Sequence, residues 1–323
     1  MADLRDLLQS SLGTGYRLSR ELGGGGMAKV YVADDGAERR VVVKVLSPDL
    51  AAGVDMERFR REIRVAAKLH HPRIVPVLSA GQSGDAPLYY TMPFIEGETL
   101  ASLIRREKQL PVDRALAIAR DVADALGHAH QLNIVHRDIK PENILLERAT
   151  GRAVVTDFGI ARAIERAADL LSVTSTGLTL GTPTYMSPEQ AAADRGLDGR
   201  SDIYSLGVVL YEMLAGEPPF TGPNARAIIA RHIQEPPPDL RIVRPEIPIE
   251  VWSLTERMLA KTPSARFADA DLLIAAIDDP KAAMEAQPRR WSAARMSATR
   301  LAILLTSSAI LALVAWWIVR LTR

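Results

Sequence analysis

The sequence predicts an α+β protein in which a small β-rich unit, about residues 14–95, is followed by a mostly helical unit, about residues 96–280. Two observations predict this class. Up to residue 95, short apolar runs alternate with turn-forming residues, as in a set of paired strands. After Gly97 the apolar residues recur instead every three or four positions, as on the buried face of a helix.

The β-rich unit begins with a strand, a glycine-rich turn and a second strand over residues 16–32. A third strand is predicted at residues 40–46, where β-branched valines dominate. Residues 55–69 carry apolar side chains at helical spacing and predict the principal helix of this unit. Two further apolar runs, 74–78 and 88–94, complete the unit.

The second unit is predicted to contain a series of helices, of which the longest covers residues 112–131. The others are predicted at 202–215, 225–234, 251–259 and 268–277. Residues 281–300 are basic, polar and rich in small side chains, and we interpret them as a juxtamembrane linker before an apolar run.

Length, charge and cysteine content exclude several classes of protein. The 323 residues suffice for two or three packed units. The formal net charge is +1, so bulk charge gives no reason to expect a nucleic-acid partner. The chain has no cysteine, which excludes disulfides and thiolate metal sites. Its charged first residues do not resemble a secretory signal.

Residues 301–319 are uncharged and predict a transmembrane helix in the lipid bilayer. As a helix they would extend roughly 28 Å at 1.5 Å per residue, close to the thickness of a hydrocarbon core. Arg300 and Arg320 flank the run, and Trp316 and Trp317 lie near one end, where interfacial aromatics are found. A buried core helix is the alternative interpretation.

Arginines around this run predict its orientation. Four precede it and two follow it: Arg289, Arg290, Arg295, Arg300, Arg320 and Arg323. The positive-inside rule then predicts a single-pass protein of the cell membrane, with the large unit cytoplasmic and four residues emerging outside. Ser308 and Ala312 form a small-xxx-small pair, which suggests a homodimer, although a bare anchor is the simpler interpretation.

Four motifs carry the candidate chemistry. The stretch His136-Arg137-Asp138-Ile139-Lys140-Pro141-Glu142-Asn143 is followed by Asp157-Phe158-Gly159, and both are preceded by a glycine-rich turn and by a lysine in a valine-rich strand. Together they supply an acid that can accept a hydroxyl proton, an amide and an acid that can hold a metal ion, and a lysine that can hold phosphate. These are the parts needed to transfer the γ-phosphoryl group of ATP.

The order and spacing of these motifs resemble those of the bacterial eukaryotic-like Ser/Thr protein kinase family, in its membrane-anchored form. The resemblance implies a two-lobed protein-kinase fold, with a β-rich N-lobe and a helical C-lobe, over residues 14–280. It also implies phosphorylation of Ser/Thr hydroxyls on protein substrates with ATP. Magnesium is the expected ion, with Mn²⁺ as the alternative.

By this resemblance Asp138 accepts the substrate proton, Lys140 neutralises the γ-phosphate, and Asn143 and Asp157 hold the metal. Lys44 would contact the α- and β-phosphates and pair with an acid on the following helix. The implied nucleotide-binding residues are Leu22, Gly23, Gly24, Gly25, Gly26, Met27, Ala28, Val30, Val42, Lys44, Glu62, Met92, Pro93, Ile95 and Leu145.

Ala28 replaces the third glycine of the family pattern, and its single methyl should be tolerated. Glu62 is the preferred partner of Lys44 because it borders the apolar stripe of its helix, while Glu57 is the competitor. Pro93 lacks an N–H but keeps its carbonyl for adenine, and Ile95 keeps the N–H that the family uses.

The hydroxyl-rich stretch between residues 159 and 189 resembles an activation loop. Thr174 and Thr176 lie where related kinases autophosphorylate, and Arg137 is the expected cationic partner of the phosphate. Thr182 matches the position that contacts the catalytic Asp and Lys. Two structural contacts are also expected: Glu189 should pair with Arg266, and Asp202 should brace the catalytic loop.

Two alternatives compete with an active protein kinase. One is a catalytically dead kinase fold that serves as a membrane-tethered scaffold, but Lys44, Asp138, Asn143 and Asp157 are all present. The other is a small-molecule phosphotransferase. The long hydroxyl-rich segment ending in Ser187-Pro188-Glu189 favours protein substrates instead.

Overall fold

The chain divides into two units in this computed structural model, residues 1–280 and 281–323. The residues described are 4–25, 28–37, 39–46, 56–81, 88–158, 183–194 and 196–286. The second unit is described only up to residue 286, at the end of the short helix that starts at Pro280. The predicted juxtamembrane linker, 281–300, is therefore described only in its first residues.

A five-stranded antiparallel sheet forms the N-lobe, in the spatial order β1-β2-β3-β5-β4. Its strands are β1 (Tyr16–Gly25), β2 (Ala28–Asp35), β3 (Arg40–Leu46), β4 (Ser79–Gly81) and β5 (Tyr89–Pro93). The glycine-rich turn joins β1 to β2, so the sequence prediction of a strand, turn and strand is confirmed. The valines of β3 are buried on both faces of the sheet, because helices lie against both.

Helix α1 (Leu4–Leu12) covers one face of this sheet. Leu8 and Leu12 pack with Val41, Val43 and Val45. Each buried leucine contributes about 1.5–3 kcal/mol relative to an exposed one. The side chain of Gln9 joins helix to strand, because it accepts from the N–H of Leu18 and donates to the carbonyl of Tyr16, each at 2.9 Å.

Helix α2 (Met56–Ala66) covers the other face, where Phe59 and Ile63 pack with Val42 and Leu46 of β3. Side chains alternate along a strand, so Lys44 lies on the same face as Val42 and Leu46. The sheet therefore directs Lys44 towards α2 and the interior.

Helices dominate the C-lobe. They are α3 (Leu100–Glu107), α4 (Val112–Gln131), α5 (Pro188–Ala191), α6 (Gly199–Ala215), α7 (Ala225–Gln234), α8 (Leu240–Val243), α9 (Ile249–Met258) and α10 (Ala270–Asp278), followed by α11 (Pro280–Glu285). Helix α6 is buried on all sides, as expected for a helix that is apolar all round. It ends at Gly216, whose φ of 90° is the left-handed conformation that glycine adopts without strain.

A small antiparallel sheet of β6 (Gly97–Thr99), β7 (Ile144–Glu147) and β8 (Ala153–Val155) lies at the start of the C-lobe. Val155 forms a parallel bridge with Ile74, and its carbonyl accepts from the N–H of Val75 at 2.9 Å. These contacts join the N-lobe segment after α2 to β8. As a result, the residues at the ends of β7 and β8 lie at the junction of the lobes.

The predicted two-lobed α+β architecture is thus confirmed, and helices α4 and α7 have the bounds that the sequence predicts. The predicted helix at residues 55–69 is shorter, Met56–Ala66. The predicted span, 301–319, lies outside the described residues. Within the described part of the chain, no helix is both long and apolar enough to cross a membrane.

Candidate active site

The segment from His136 to Asn143 follows α4 and is held in place by a buried carboxylate of α6. Asp202 accepts from the backbone N–H groups of His136 and Arg137, each at 2.8 Å, and contacts His130 Nε2 at 2.8 Å. Burial raises the pKa of Asp202, but the hydrogen bond from His130 and the surrounding donors outweigh burial and hold this pKa below its ordinary value. The predicted bracing role of Asp202 is confirmed.

Backbone strain marks this loop. Arg137 has a φ of 70°, a left-handed conformation that is uncommon for a residue with a long side chain. The carbonyl of Arg137 accepts from the amide of Gln190 at 2.8 Å, which joins the loop to α5. The imidazole of His136 is fully buried, contacts the Thr156 carbonyl at 2.9 Å and packs edge-on against Phe158. His136 is therefore a structural residue of this loop.

Asp138 is held by two neighbours and is open to solvent, with 44% of its side chain exposed. Lys140 Nζ donates to Asp138 Oδ2 at 2.7 Å. Asn143 Nδ2 donates to the same oxygen at 3.0 Å and to the Asp138 carbonyl at 2.8 Å. Because these side-chain contacts use Oδ2, Oδ1 remains for a substrate hydroxyl as far as the described residues are concerned.

Asn143 and Asp157 come together because β7 and β8 are paired. Asn143 ends the 3-10 turn before β7, and its carbonyl accepts from the N–H of Thr156, the residue before Asp157, at 3.0 Å. The side-chain amide nitrogen of Asn143 donates to Asp138, and among the described residues its side-chain oxygen is left as the ligand atom. An amide oxygen and a carboxylate are hard oxygen ligands, and the pair fits a divalent metal ion.

Asp157 has a left-handed backbone, with a φ of 69°, and a carboxylate that two N-lobe side chains hold. Lys44 Nζ donates to Oδ2 and the hydroxyl of Tyr90 donates to Oδ1, each at 2.6 Å. Burial raises the pKa of Asp157, but the Lys44 charge and the bonds from Lys44 and Tyr90 outweigh burial and lower this pKa. Burial and the Asp157 charge raise the pKa of Tyr90 well above its ordinary value.

The expected pair of Lys44 with Glu62 is not among the ion pairs that the described residues form. Within the described residues, the ion-pair partner of Lys44 is Asp157. Glu62 is on α2 as predicted and is 8% exposed. Helical spacing shows which way Glu62 faces, but it does not give the distance between α2 and β3, on which this contact depends.

The glycine-rich end of β1 pairs with the start of β2. Gly23, Gly24 and Gly25 of β1 pair with Val30, Lys29 and Ala28 of β2, and Gly23 has a φ of 116° that favours glycine. Leu22 precedes the turn and is 43% exposed. Gly26 and Met27 lie outside the described residues.

Apolar walls for a nucleotide base come from both lobes. Val30, Ile95 and Leu145 are partly buried and pack against a core that includes Val42 and Met92. Leu145 comes from the C-lobe strand β7, whereas the other four come from the N-lobe and the segment after it. The structure therefore brings these predicted nucleotide-binding residues into one apolar group.

The connection between the lobes has the groups that adenine needs. Met92 is 8% exposed, and its sulfur accepts from the Thr156 hydroxyl at 3.1 Å. Phe94 donates its N–H to the Arg40 carbonyl at 3.1 Å. Pro93 ends β5, and in the described part of the chain the N–H of Ile95 forms no hydrogen bond and can donate to a base.

The predicted activation loop falls mostly outside the described residues, including Thr174, Thr176 and Thr182. The chain is described again from Pro183, where a short turn leads to the capping box of Ser187 and Gln190 at α5. Glu189 forms a bidentate pair with Arg266, at 2.6 and 2.8 Å, which confirms the predicted contact.

The sequence reasoning missed two parts of the site, Tyr90 and Asp121. Asp121 of α4 accepts from Arg152 through both oxygens, at 2.5–3.0 Å, and from the N–H of Ala153 at 3.0 Å, so it supports the start of β8. An aspartate among the apolar residues of a long helix is a signal that could have identified it. Tyr90 has no such signal, because a tyrosine in a strand is usually a packing residue.

Comparisons with known proteins agree with this geometry. The protein kinase domain model matches residues 16–276. The Ser/Thr-protein kinase PknB of Mycobacterium leprae is 43% identical over 258 residues, which are 78% of this chain and 40% of the relative. PrkC of Bacillus subtilis is 40% identical over 258 residues, 79% of this chain and 39% of the relative. PknA of Mycobacterium tuberculosis is 42% identical over 258 residues, 78% of this chain and 58% of the relative.

The matched part of this chain corresponds to between 39% and 58% of the length of these curated relatives. The kinase domain model, by contrast, covers most of the chain and includes every motif described above. The chain therefore belongs to the protein kinase family, and its relatives are bacterial Ser/Thr protein kinases.

Proposed function

We propose that this protein is an active Ser/Thr protein kinase that transfers the γ-phosphoryl group of ATP to protein hydroxyls. One observation carries the proposal: Lys140 and Asn143 both hold Oδ2 of Asp138, while its carboxylate is open to solvent. A carboxylate that is fixed in direction but accessible is suited to receive a proton from an incoming hydroxyl.

Each side chain then has a defined task. Asp138 orients the substrate hydroxyl and takes its proton, and Lys140, 2.7 Å away, is close enough to neutralise charge on the transferred group. Lys44 supplies a cation for the α- and β-phosphates. The apolar group around Val42 and Met92 holds the base and keeps water from this end of the cleft.

Asn143 and Asp157 would hold Mg²⁺, with Mn²⁺ as the alternative. An ion held there would supply positive charge to offset the negative charge that develops on the phosphate during transfer. The contribution of the protein is the orientation of the two ligands, since Asp138 fixes the Asn143 amide and Lys44 and Tyr90 fix the Asp157 carboxylate.

The proposal extends to regulation and location on the basis of the sequence. Autophosphorylation of Thr174 or Thr176 would create an anion for Arg137, and Thr182 would contact Asp138 and Lys140. Residues 301–319 would anchor the kinase in the cell membrane, with the catalytic domain in the cytoplasm. A homodimer through the span is a further proposal, which crosslinking in membranes would test.

Incubation with γ-labelled ATP and Mg²⁺, followed by mapping of the labelled residues, tests the proposed activity. We expect the wild type to label its own threonines between residues 159 and 182, and Asp138→Asn to label none. Asp113→Asn is the matched control, because Asp113 lies in the first turn of α4, outside the site described above. Equal labelling of Asp138→Asn and the wild type would contradict the assigned base.

A further inference from the structure

Tyr90 and Lys44 are direct partners across the sheet. In the antiparallel register of β3 and β5, Lys44 lies opposite Tyr90. Side chains of opposed residues stand on the same face of a sheet, so both point to the same place. That place is the carboxylate of Asp157, which receives Lys44 on Oδ2 and Tyr90 on Oδ1, each at 2.6 Å.

This arrangement fixes the plane of the Asp157 carboxylate. A bond to one oxygen would still allow the carboxylate to rotate, whereas two donors on two oxygens do not. Tyr90 is 2% exposed and belongs to the core between the sheet and α2, so its ring cannot easily turn away. The bond is also long-range, because Tyr90 comes from the N-lobe and Asp157 from the segment after β8.

Lys44 and Tyr90 differ in whether they have a second role besides holding Asp157. The proposed role of Lys44 is to contact the α- and β-phosphates, so its cation is shared between the nucleotide and Asp157. Tyr90 has no second partner in its proposed role, and its hydroxyl remains committed to Oδ1. An ionised carboxylate has about four acceptor positions, so two bonds leave room for a metal ion.

We propose that Tyr90 is a positioning residue that orients Asp157 for the divalent metal. This inference rests on the proposed use of MgATP and adds a residue to that site. Carboxylates that bind metals are commonly oriented by such outer hydrogen bonds, and loss of one typically costs about 10–100-fold in metal affinity or activity. The Tyr90 hydroxyl therefore stabilises metal-bound nucleotide without touching the nucleotide.

Tyr90→Phe removes the hydroxyl and keeps the ring, and Tyr89→Phe is the matched control. Tyr89 is the adjacent residue of β5, but it packs against the opposite core of the sheet, which includes Leu8 and Leu12. Its hydroxyl is therefore on the face away from Asp157. Both variants lose one oxygen from the same strand.

The measurement is calorimetric affinity for an ATP analogue whose γ-phosphate cannot be transferred, with Mg²⁺ and with EDTA. We expect Mg²⁺ to tighten binding in the wild type and in Tyr89→Phe. In Tyr90→Phe this tightening should fall by at least tenfold, while the affinity in EDTA stays within about twofold of the wild type. A residue that only supports folding would weaken binding under both conditions.

Three results would overturn the inference. Equal tightening by Mg²⁺ in Tyr90→Phe and the wild type would show that the hydroxyl does not orient the ligand. Stronger tightening in the variant would mean that the hydroxyl competes with the metal. Equal loss in EDTA and in Mg²⁺ would mean that the hydroxyl is structural.

The experiment also separates this inference from the function on which it rests. If Mg²⁺ does not tighten binding even in the wild type, the proposed use of MgATP fails rather than the role of Tyr90. Thermal unfolding verifies that Tyr90→Phe is folded. Tyr90→Met, whose flexible side chain also fills the space without a hydroxyl, repeats the test if the phenylalanine variant is unstable.

Discussion

Removal of Arg266 tests how the C-lobe holds the end of the predicted activation loop. The side chain of Arg266 is fully buried and makes a bidentate pair with Glu189, which is only 10% exposed. It also donates to the backbone carbonyls of Ala260, Arg200 and Lys261, at 2.8–3.1 Å. Arg266→Met keeps much of the apolar stem and removes the charge and all of these donors.

The expected loss in the free energy of unfolding follows from Glu189, the buried carboxylate that remains in Arg266→Met. Removing one member of a buried ion pair leaves an uncompensated charge and costs roughly 3–5 kcal/mol. For a domain of this size, each kcal/mol lowers Tm by about 2–4 °C, so Tm should fall by roughly 6–20 °C. Circular dichroism during thermal and urea unfolding measures both quantities.

An exposed arginine is the matched control. Arg106 also forms a bidentate pair, with Glu98, but its side chain is 56% exposed. Arg106→Met should cost less than about 1 kcal/mol. The double variant Glu189→Leu with Arg266→Met should regain much of the lost stability, because no buried charge remains. A loss below about 1 kcal/mol in Arg266→Met would refute the reasoning.

The same pair predicts a dependence on pH. Burial raises the pKa of Glu189, but the bonds from Arg266 and Ser201 outweigh burial and lower this pKa. Ionised Glu189 therefore stabilises the folded state fully above the ordinary glutamate pKa of about 4.3. This stabilisation is lost as the pH falls through the lower pKa that Glu189 has in the folded state. We therefore expect the free energies of unfolding of the wild type and of Arg266→Met to become more similar as the pH falls through this acidic range.

Three further predictions concern other parts of the C-lobe. Asp202→Asn should lower kcat at least tenfold in the labelled-ATP assay, because the N–H groups of His136 and Arg137 lose a carboxylate acceptor. A Cβ at Gly207 would lie 2.8 Å from Met258 Cβ, so Gly207→Ala should cost about 1–3 kcal/mol in urea unfolding, whereas Gly36→Ala meets no atom within 4 Å and should cost little. Burial and the Lys261 charge lower the pKa of His232 to about 4. The unfolded chain therefore binds more protons between pH 4 and 6.5, and the free energy of unfolding should rise with pH over this range. Denaturant unfolding at several pH values should show a flatter dependence on pH in His232→Gln.

The sequence predicts the parts of the site that depend on local order. Asp138, Lys140 and Asn143 lie within one short loop, so their proximity follows from their spacing. The helix Val112–Gln131 has the bounds expected from its periodicity, because twenty residues give an unambiguous apolar face. Asp202 and the pair of Glu189 with Arg266 followed from the family resemblance rather than from local pattern.

What the sequence could not predict depends on distance between elements. Which acid pairs with Lys44 depends on the distance between α2 and β3, and the apolar pattern of a sequence does not give the distance between two elements. The sequence shows Tyr90 only as part of an apolar run, because its contact with Asp157 depends on the β3–β5 register. Helix α1 was missed because its first residues are charged and its apolar side, with Leu8 and Leu12, is short.

The most direct test of the account is the rate of phosphoryl transfer in a single turnover at saturating MgATP. The central claim is that Asp138 acts on the substrate proton and not on the nucleotide. Asp138→Asn should therefore lower this rate by about 10²–10⁴-fold and leave the Kd for ATP close to that of the wild type. A normal rate in the variant, or a loss that arises only from weaker ATP binding, would contradict the account.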